Sequence, residues 1–250
     1  MVVVQKSILF LSVLMLNNAA FASDNDSHFK LPASSDYPAI AKSGEKVSDF
    51  LPPHWQIMGQ AKGDLNGDKI DDLALVIKGN EARFKQKNDG LGSDLFDTNP
   101  RMLLILFKDS NADAYNLVEK SNKIIPIPDS PTMEEPFEKV SIKNGMLQLD
   151  FSVFYSAGSW TSSNTSYKFR WQNKTFVLIG ADSGETQRNT GETNAYSYNF
   201  LTGKMSIAKG NSSNDKSQST QWKRIPSHAL KTLSSFKQLY EWEAAPGQFL

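Results

Sequence analysis

The 250-residue chain contains no cysteine, which excludes disulfides, thiolate metal centres and a lipid-modified amino-terminal cysteine. It has only three histidines, His28, His54 and His228, in no metal-ligand spacing such as His-x-x-x-His, so no local imidazole site is encoded. Net charge is missing as well, with 27 basic residues against 27 acidic ones. Lys and Arg are scattered rather than patched, and a neutral chain offers neither the basic face that a nucleic acid wants nor an electrostatic hold on a membrane surface. Beyond the amino terminus no apolar run approaches the roughly 20 residues of a spanning helix. A glycine-rich phosphate loop and a Gly-x-Ser-x-Gly elbow are also lacking.

At the amino terminus Lys6 precedes the apolar run Ile8 to Leu16, and Ala20-Phe21-Ala22 precedes Ser23. This is the pattern of a secretory signal peptide, residues 1–22, with cleavage after Ala22 and an apolar core too short for a stable anchor. The expected product is periplasmic or secreted, has no membrane span after cleavage, and carries one more acid than base, since Lys6 leaves with the signal. Residues 23–52 are polar and dotted with Pro32, Pro38 and Pro52, which discourages regular structure. One short helix over 40–50 is expected there.

From residue 53 to 250 the pattern predicts a single β-rich domain. Trp55–Ala61 and Leu73–Lys78 read as strands around a loop, and Met102–Phe107 and Tyr115–Val118 flank a turn over 108–114. Val140–Ile142 and Leu147–Val153 are joined by Asn144-Gly145, a strong signal for a tight hairpin. Tyr167, Phe169 and Trp171 alternate with Lys168, Arg170 and Gln172, giving one apolar and one wet strand face. Asn173-Lys174 turns this strand into Phe176–Ile179. Tyr196, Tyr198 and Phe200 alternate likewise, and Thr202-Gly203 leads into Lys204–Ala208. The expected fold is mainly β, an antiparallel meander of about five hairpins, propeller-like or a sandwich. Residues 211–220, a run of Ser, Asn, Asp and Gln, read as a mobile loop. Leu230, Leu233, Phe236 and Leu239 then recur at every third position, which predicts a short carboxy-terminal helix near 227–240 with Ser227 as N-cap.

One segment reads as chemistry. In Gly63-Asp64-Leu65-Asn66-Gly67-Asp68-Lys69-Ile70-Asp71-Asp72, side-chain oxygens of Asp64, Asn66 and Asp68 stand at alternate positions, Ile70 offers a carbonyl, and Asp72 closes a 1-3-5-7-9 spacing. Such spacing surrounds a hard cation that takes about six to eight oxygens, which points to calcium (Ca2+). Leu75 stands where a helical EF-hand requires its bidentate acid, and a β-branched run follows, so the EF-hand form is excluded. On Gly63, Asp64, Asn66, Gly67, Asp68, Asp71, Asp72 and Leu73, the segment resembles the calcium loop of FG-GAP repeats, the units of integrin α-chain propellers. The resemblance covers under a tenth of the chain and implies an acidic loop joining two β-strands. That family has glycine at the sixth loop position, where this chain has Lys69. A second candidate, Asp109-Ser110-Asn111-Ala112-Asp113, has Leu117 in place of the closing acid and reads as a hairpin turn.

Other candidates carry less. Ser156-Ala157-Gly158-Ser159-Trp160 reads as a loop with a partly buried tryptophan, and His54 as a strand-entry residue. Glu134-Glu135, and Asp182 with Glu185, supply carboxylates that nothing in the sequence places across a cleft. Trp160, Trp171, Trp222 and Trp242 are candidates for sugar or protein contact, although aromatics at strand period mostly fill cores. The sequence therefore leads to an exported binding or interaction module of a Gram-negative bacterium, without a catalytic constellation. Its calcium would be structural, and its partner another protein or a cell-envelope component. A periplasmic immunity or inhibitor protein against a wall-directed toxin or hydrolase is the alternative, and a hydrolase the third reading.

Overall fold

Continuous apolar runs and alternating ones build two different sheets. The structure, a computed structural model, describes residues 29–226, 230–237 and 239–250. The expected signal segment, His28, Ser227, His228 and Gln238 lie outside the described residues.

The first sheet takes the amino-terminal half. Its strands are β1 (Ser43–Gly44), β2 (Trp55–Gly63) and β3 (Asp72–Gly79). After a small hairpin of β4 (Lys85–Lys87) and β5 (Leu95–Asp97), β6 (Arg101–Lys108) and β7 (Tyr115–Ser121) complete it in the order β1-β7-β6-β3-β2. β3 and β6 are buried along almost their whole length, as expected for unalternating Leu/Ile/Val runs covered on both faces. One face presents Ala74, Val76, Leu103 and Ile105 to the second sheet. The other presents Leu75, Ile77, Met102 and Leu104 to Phe50, with Tyr37, Ile40, Val47 and Leu51 packed alongside. The helix expected over 40–50 is instead the two-residue strand β1 and a 3-10 turn, Val47–Phe50. Its apolar side chains are spent on covering the sheet from an irregular path.

The second sheet is a seven-stranded antiparallel meander: β8 (Phe137–Lys143), β9 (Met146–Val153), β10 (Thr161–Gln172), β11 (Thr175–Gln187), β12 (Glu192–Asn199), β13 (Lys204–Asn211) and β14 (Asn214–Arg224). Asn144-Gly145 and Asn173-Lys174 make two of its two-residue turns, all four residues having positive φ between 52° and 70°, as mirror-image hairpin turns require. The inner face carries Leu149, Phe151, Tyr167, Phe169, Leu178 and Tyr198 into the core between the sheets. The architecture is thus mainly β, two stacked antiparallel sheets rather than radial blades. β2 passes close over β8. A Cβ on Gly63 would stand 2.7 Å from Ile142 Cγ2, and one on Gly59 3.0 Å from the Phe137 ring, so glycine permits the approach.

Two further expectations are overturned. Residues 214–224 form the strand β14, paired with β13 from Lys204↔Arg224 to Lys209↔Ser219, rather than a mobile loop. A backbone ladder orders an edge strand whatever its side chains, and both faces there can stay wet. The carboxy-terminal segment holds a 3-10 turn, Leu233–Ser235, in place of a helix. Thr232 bridges Val177, and the Leu178 amide donates to the Lys231 carbonyl at 2.8 Å, so the chain is clamped extended against β11. Its apolar residues still reach the core, with Leu233 and Phe236 buried. The chain ends in the small hairpin β15 (Glu243–Ala245) and β16 (Gln248–Phe249).

Candidate functional site

The acidic loop joins β2 to β3, closed at its base by the pair Gly63↔Asp72. It turns because its side chains replace missing ladder bonds. Asp64 accepts from the Gly67 amide at 2.6 Å through Oδ1 and from the Lys69 amide at 2.9 Å through Oδ2. Asn66 Oδ1 accepts from the Asp68 amide at 2.9 Å, and Asp68 Oδ1 from the Ile70 amide at 2.8 Å. Short Asx side chains stabilise turns in this way. Gly67 at φ +87° and Lys69 at φ +69° supply the two left-handed steps, and at Lys69 the Cβ makes that conformation costly.

Two residues anchor the loop to the body. Leu65, the one large apolar side chain before Ile70, is buried in the core between the sheets. Asp72 is wholly buried, and its carboxylate accepts the Leu65 amide at 2.9 Å and the Lys108 amide of β6 at 3.0 Å. Burial, above all, raises this carboxyl above its ordinary value. The two amides pull it down, and the neighbouring charges of Asp68 and Asp64 push it up. Asp71 points away and pairs with Lys62 at 3.3 Å.

Asp64, Asn66, Asp68 and Asp72 thus belong to one loop, with mutual repulsion felt at Asp72, and Ile70 lies between them. Their side chains are spent on backbone amides. Among the described residues no three His, Cys, Asp or Glu side chains converge as a ready metal cluster. The donor chemistry itself fits a hard cation, being all oxygen, with a second lone pair remaining on each carboxylate oxygen that accepts one N–H. The anchoring roles of Leu65 and the Lys108 amide were not legible in the sequence. A lone leucine amid polar loop residues is the signal that was there.

Most of the remaining candidates resolve into structural parts. Glu135 is tied to the buried Arg101 at 2.8 Å. Asp182 and Glu185 sit three residues apart on β11 and so point to opposite faces. The Ser159 hydroxyl bonds to Thr161 within its own turn, and the Ser159 carbonyl accepts from Arg188. His54 sits at φ +64° where the chain enters β2. Residues 109–113 form the β6–β7 turn, the Asn111 amide donating to Asp109 at 2.8 Å. Trp171 and Trp242 pack on the core. Trp160, expected to be partly buried, is 68% exposed, and Trp222 is 72% exposed.

Fold and loop together define a two-sheet antiparallel β-protein with an acidic hairpin loop locked to its core. Comparison with family models, curated proteins and solved structures finds no match for the chain. Among the described residues no helix is long and apolar enough to cross a membrane.

Proposed function

We propose that the chain is an exported binding module whose β2–β3 hairpin is pinned by calcium, held through Asp64, Asn66, Asp68, the Ile70 carbonyl and Asp72. The observation that carries this reading is the loop itself, a single hairpin loop closed at Gly63↔Asp72 whose Asp64, Asn66, Asp68 and Asp72 oxygens already order it by accepting backbone amides. Three acids on one short loop repel one another, and a divalent cation drawn between them turns that repulsion into attraction. All five donors come from one short segment, which suits a structural ion that fixes two strands and leaves the partner-binding surface elsewhere. Two tryptophans held open to solvent, Trp160 and Trp222, support the binding half of the reading.

The test is thermal unfolding in calcium against a chelator. At a free concentration of 100 times the dissociation constant, binding to the folded loop alone adds about 2.7 kcal/mol. Asp68→Ala should abolish this calcium-dependent rise, whereas Asp71→Ala, whose side chain faces Lys62, should keep it. The quantity compared is the rise rather than the baseline, because Asp68→Ala also removes the acceptor for the Ile70 amide. A wild-type melting curve that the chelator leaves unmoved, or equal rises in the two variants, would defeat the ligand assignment.

A further inference from the structure

Pairing registers in the second sheet fix which side chains share its solvent face. One row across the strands runs Asp150, Ser166, Asp182, Ser197, Ser206 and Trp222. The adjacent row runs Ser152, Asn164, Gly184, Ala195, Ala208 and Thr220. These rows lie two residues apart on each strand and so face the same way, opposite to the side that carries Tyr167 and Tyr198 into the core.

The second row is a floor. Gly184, Ala195 and Ala208 are the smallest residues available, and the Asn164 amide lies across Gly184, where a Cβ would stand 2.5 Å from its Oδ1. The surface sinks along this line into a groove of about 670 Å3, within the roughly 300–1,000 Å3 range of small-ligand sites. Its walls are hydroxyls: Ser166, Ser197 and Ser206 on one side, Ser162, Thr186 and Thr193 on the other. A merely solvated sheet face has no need of a sunken floor.

Two carboxylates are held in fixed orientation beside it. Asp182 accepts the Ser197 hydroxyl at 2.6 Å and pairs with the Lys168 ammonium. Asp150 accepts the Ser166 hydroxyl at 2.5 Å and the Gln148 amide at 2.8 Å. Each retains lone pairs for further donors. Trp222, directly opposite Ser206 in the ladder, closes the Asp182 row with an indole largely open to water.

An apolar ligand finds little to bury here. A polyanion would meet Asp182 in a groove whose lining holds no Lys or Arg. The basic side chains of this face stand outside it, Lys168, Lys204 and Arg224 in the next row and Lys139 opposite Asp150 on β8. A neutral polyol fits each feature: fixed carboxylates accept paired hydroxyls, serines, threonines and Asn164 both donate and accept, and an indole plane covers the C–H face of a pyranose ring. We infer that this groove binds a neutral glycan, a chain of a few pyranose rings, with Trp222 as the stacking platform and Asp182 and Asn164 as orienting hydrogen-bond partners. The inference rests on the binding-module reading and names its ligand class, at a surface separate from the acidic loop.

The experiment is a titration of the whole protein with cellotriose, maltotriose, chitotriose, xylotriose and mannotriose, followed by calorimetry and tryptophan fluorescence. At least one sugar should bind, and Trp222→Ala should weaken it at least about tenfold, the equivalent of about 1.4 kcal/mol. Asp182→Asn should weaken the same sugar while keeping the wild-type melting temperature. Silence across the panel, or binding undiminished in Trp222→Ala, overturns the inference, as does capture of a protein by this face when no sugar binds. The calcium-dependent melting rise, measured on the same samples, separates the two readings. Lost sugar binding with an intact rise removes the glycan inference alone, and sugar binding without any rise removes the calcium loop alone.

Discussion

Replacing Asp72 by Asn tests whether the acidic loop is locked to the core by a carboxylate rather than merely resting on it. Asp72 opens β3 with no exposed surface, and its two oxygens take the amides of Leu65 and Lys108. Asparagine keeps one acceptor and turns an NH2 group toward the other amide, so a buried donor faces a donor. Losing a hydrogen bond to a charged group costs about 1.5–3 kcal/mol. Some of this returns, because burial and the charges of Asp68 and Asp64 already disfavour the anion. The net expectation is a loss of about 1–2 kcal/mol, which for a domain of this size lowers the melting temperature by about 2–8 °C. Unfolding is followed in a chelator, so that any metal contribution is absent from both proteins. Amide hydrogen exchange adds a local readout, with faster exchange expected at Leu65 and Lys108 and little change on β10 to β12. A variant as stable as wild type in chelator, with both amides still protected, would refute the reasoning and make the buried charge a net burden on the apo fold.

Lys69→Gly should tighten calcium binding by about 0.5–1 kcal/mol, since Lys69 stands at φ +69° and glycine holds that conformation without a Cβ penalty; titration calorimetry showing equal or weaker binding would contradict this. A second prediction concerns acid stability at Asp97, whose Oδ2 meets Lys78 Nζ at 2.8 Å. Burial alone raises this carboxyl, but bonds from Lys78 and Asn99 outweigh it and the net shift is below the ordinary 3.8. A lowered folded value stabilises the fold above the unfolded pKa and is lost as pH falls through the folded one. Lys78→Met should therefore be less stable near neutrality and should converge on wild type below about pH 4, and a gap that stays constant across an acid titration would count against the pair.

Alternation made β9, β10, β12 and β13 legible, because each has one core face and one wet face and only a period of two produces that pattern, whereas Phe176 to Ala181 of β11 are buried without alternation. β14 was hidden because its order comes from the β13 backbone, and Ser, Asn and Gln give no periodic signal when both faces are wet. The spacing of Leu230, Leu233 and Phe236 imitated a helix, since an irregular strap that dips into a core every third residue leaves the same mark. The amino-terminal cover was hidden for a related reason: Tyr37, Ile40, Val47 and Phe50 follow no period. The unalternating runs of β3 and β6 were read as strands without their further signal, burial on both faces and hence a covering layer. In the acidic loop, the oxygen spacing was readable, whereas the lock through Leu65 and Lys108 joins residues far apart in sequence and needs the fold to be seen.

The two cores differ in how far along the chain they reach. The one beneath the amino-terminal cover draws on residues between Tyr37 and Leu117, whereas the one between the sheets gathers side chains from Met58 to Leu250. A chain emerging from its amino end can therefore close the first core early, at low loop-closure cost. The second stays open until the strap carrying Leu233, Phe236 and Leu250 arrives. During that interval the inner faces of both sheets are bare, and this is the stage at which a chaperone has most to protect.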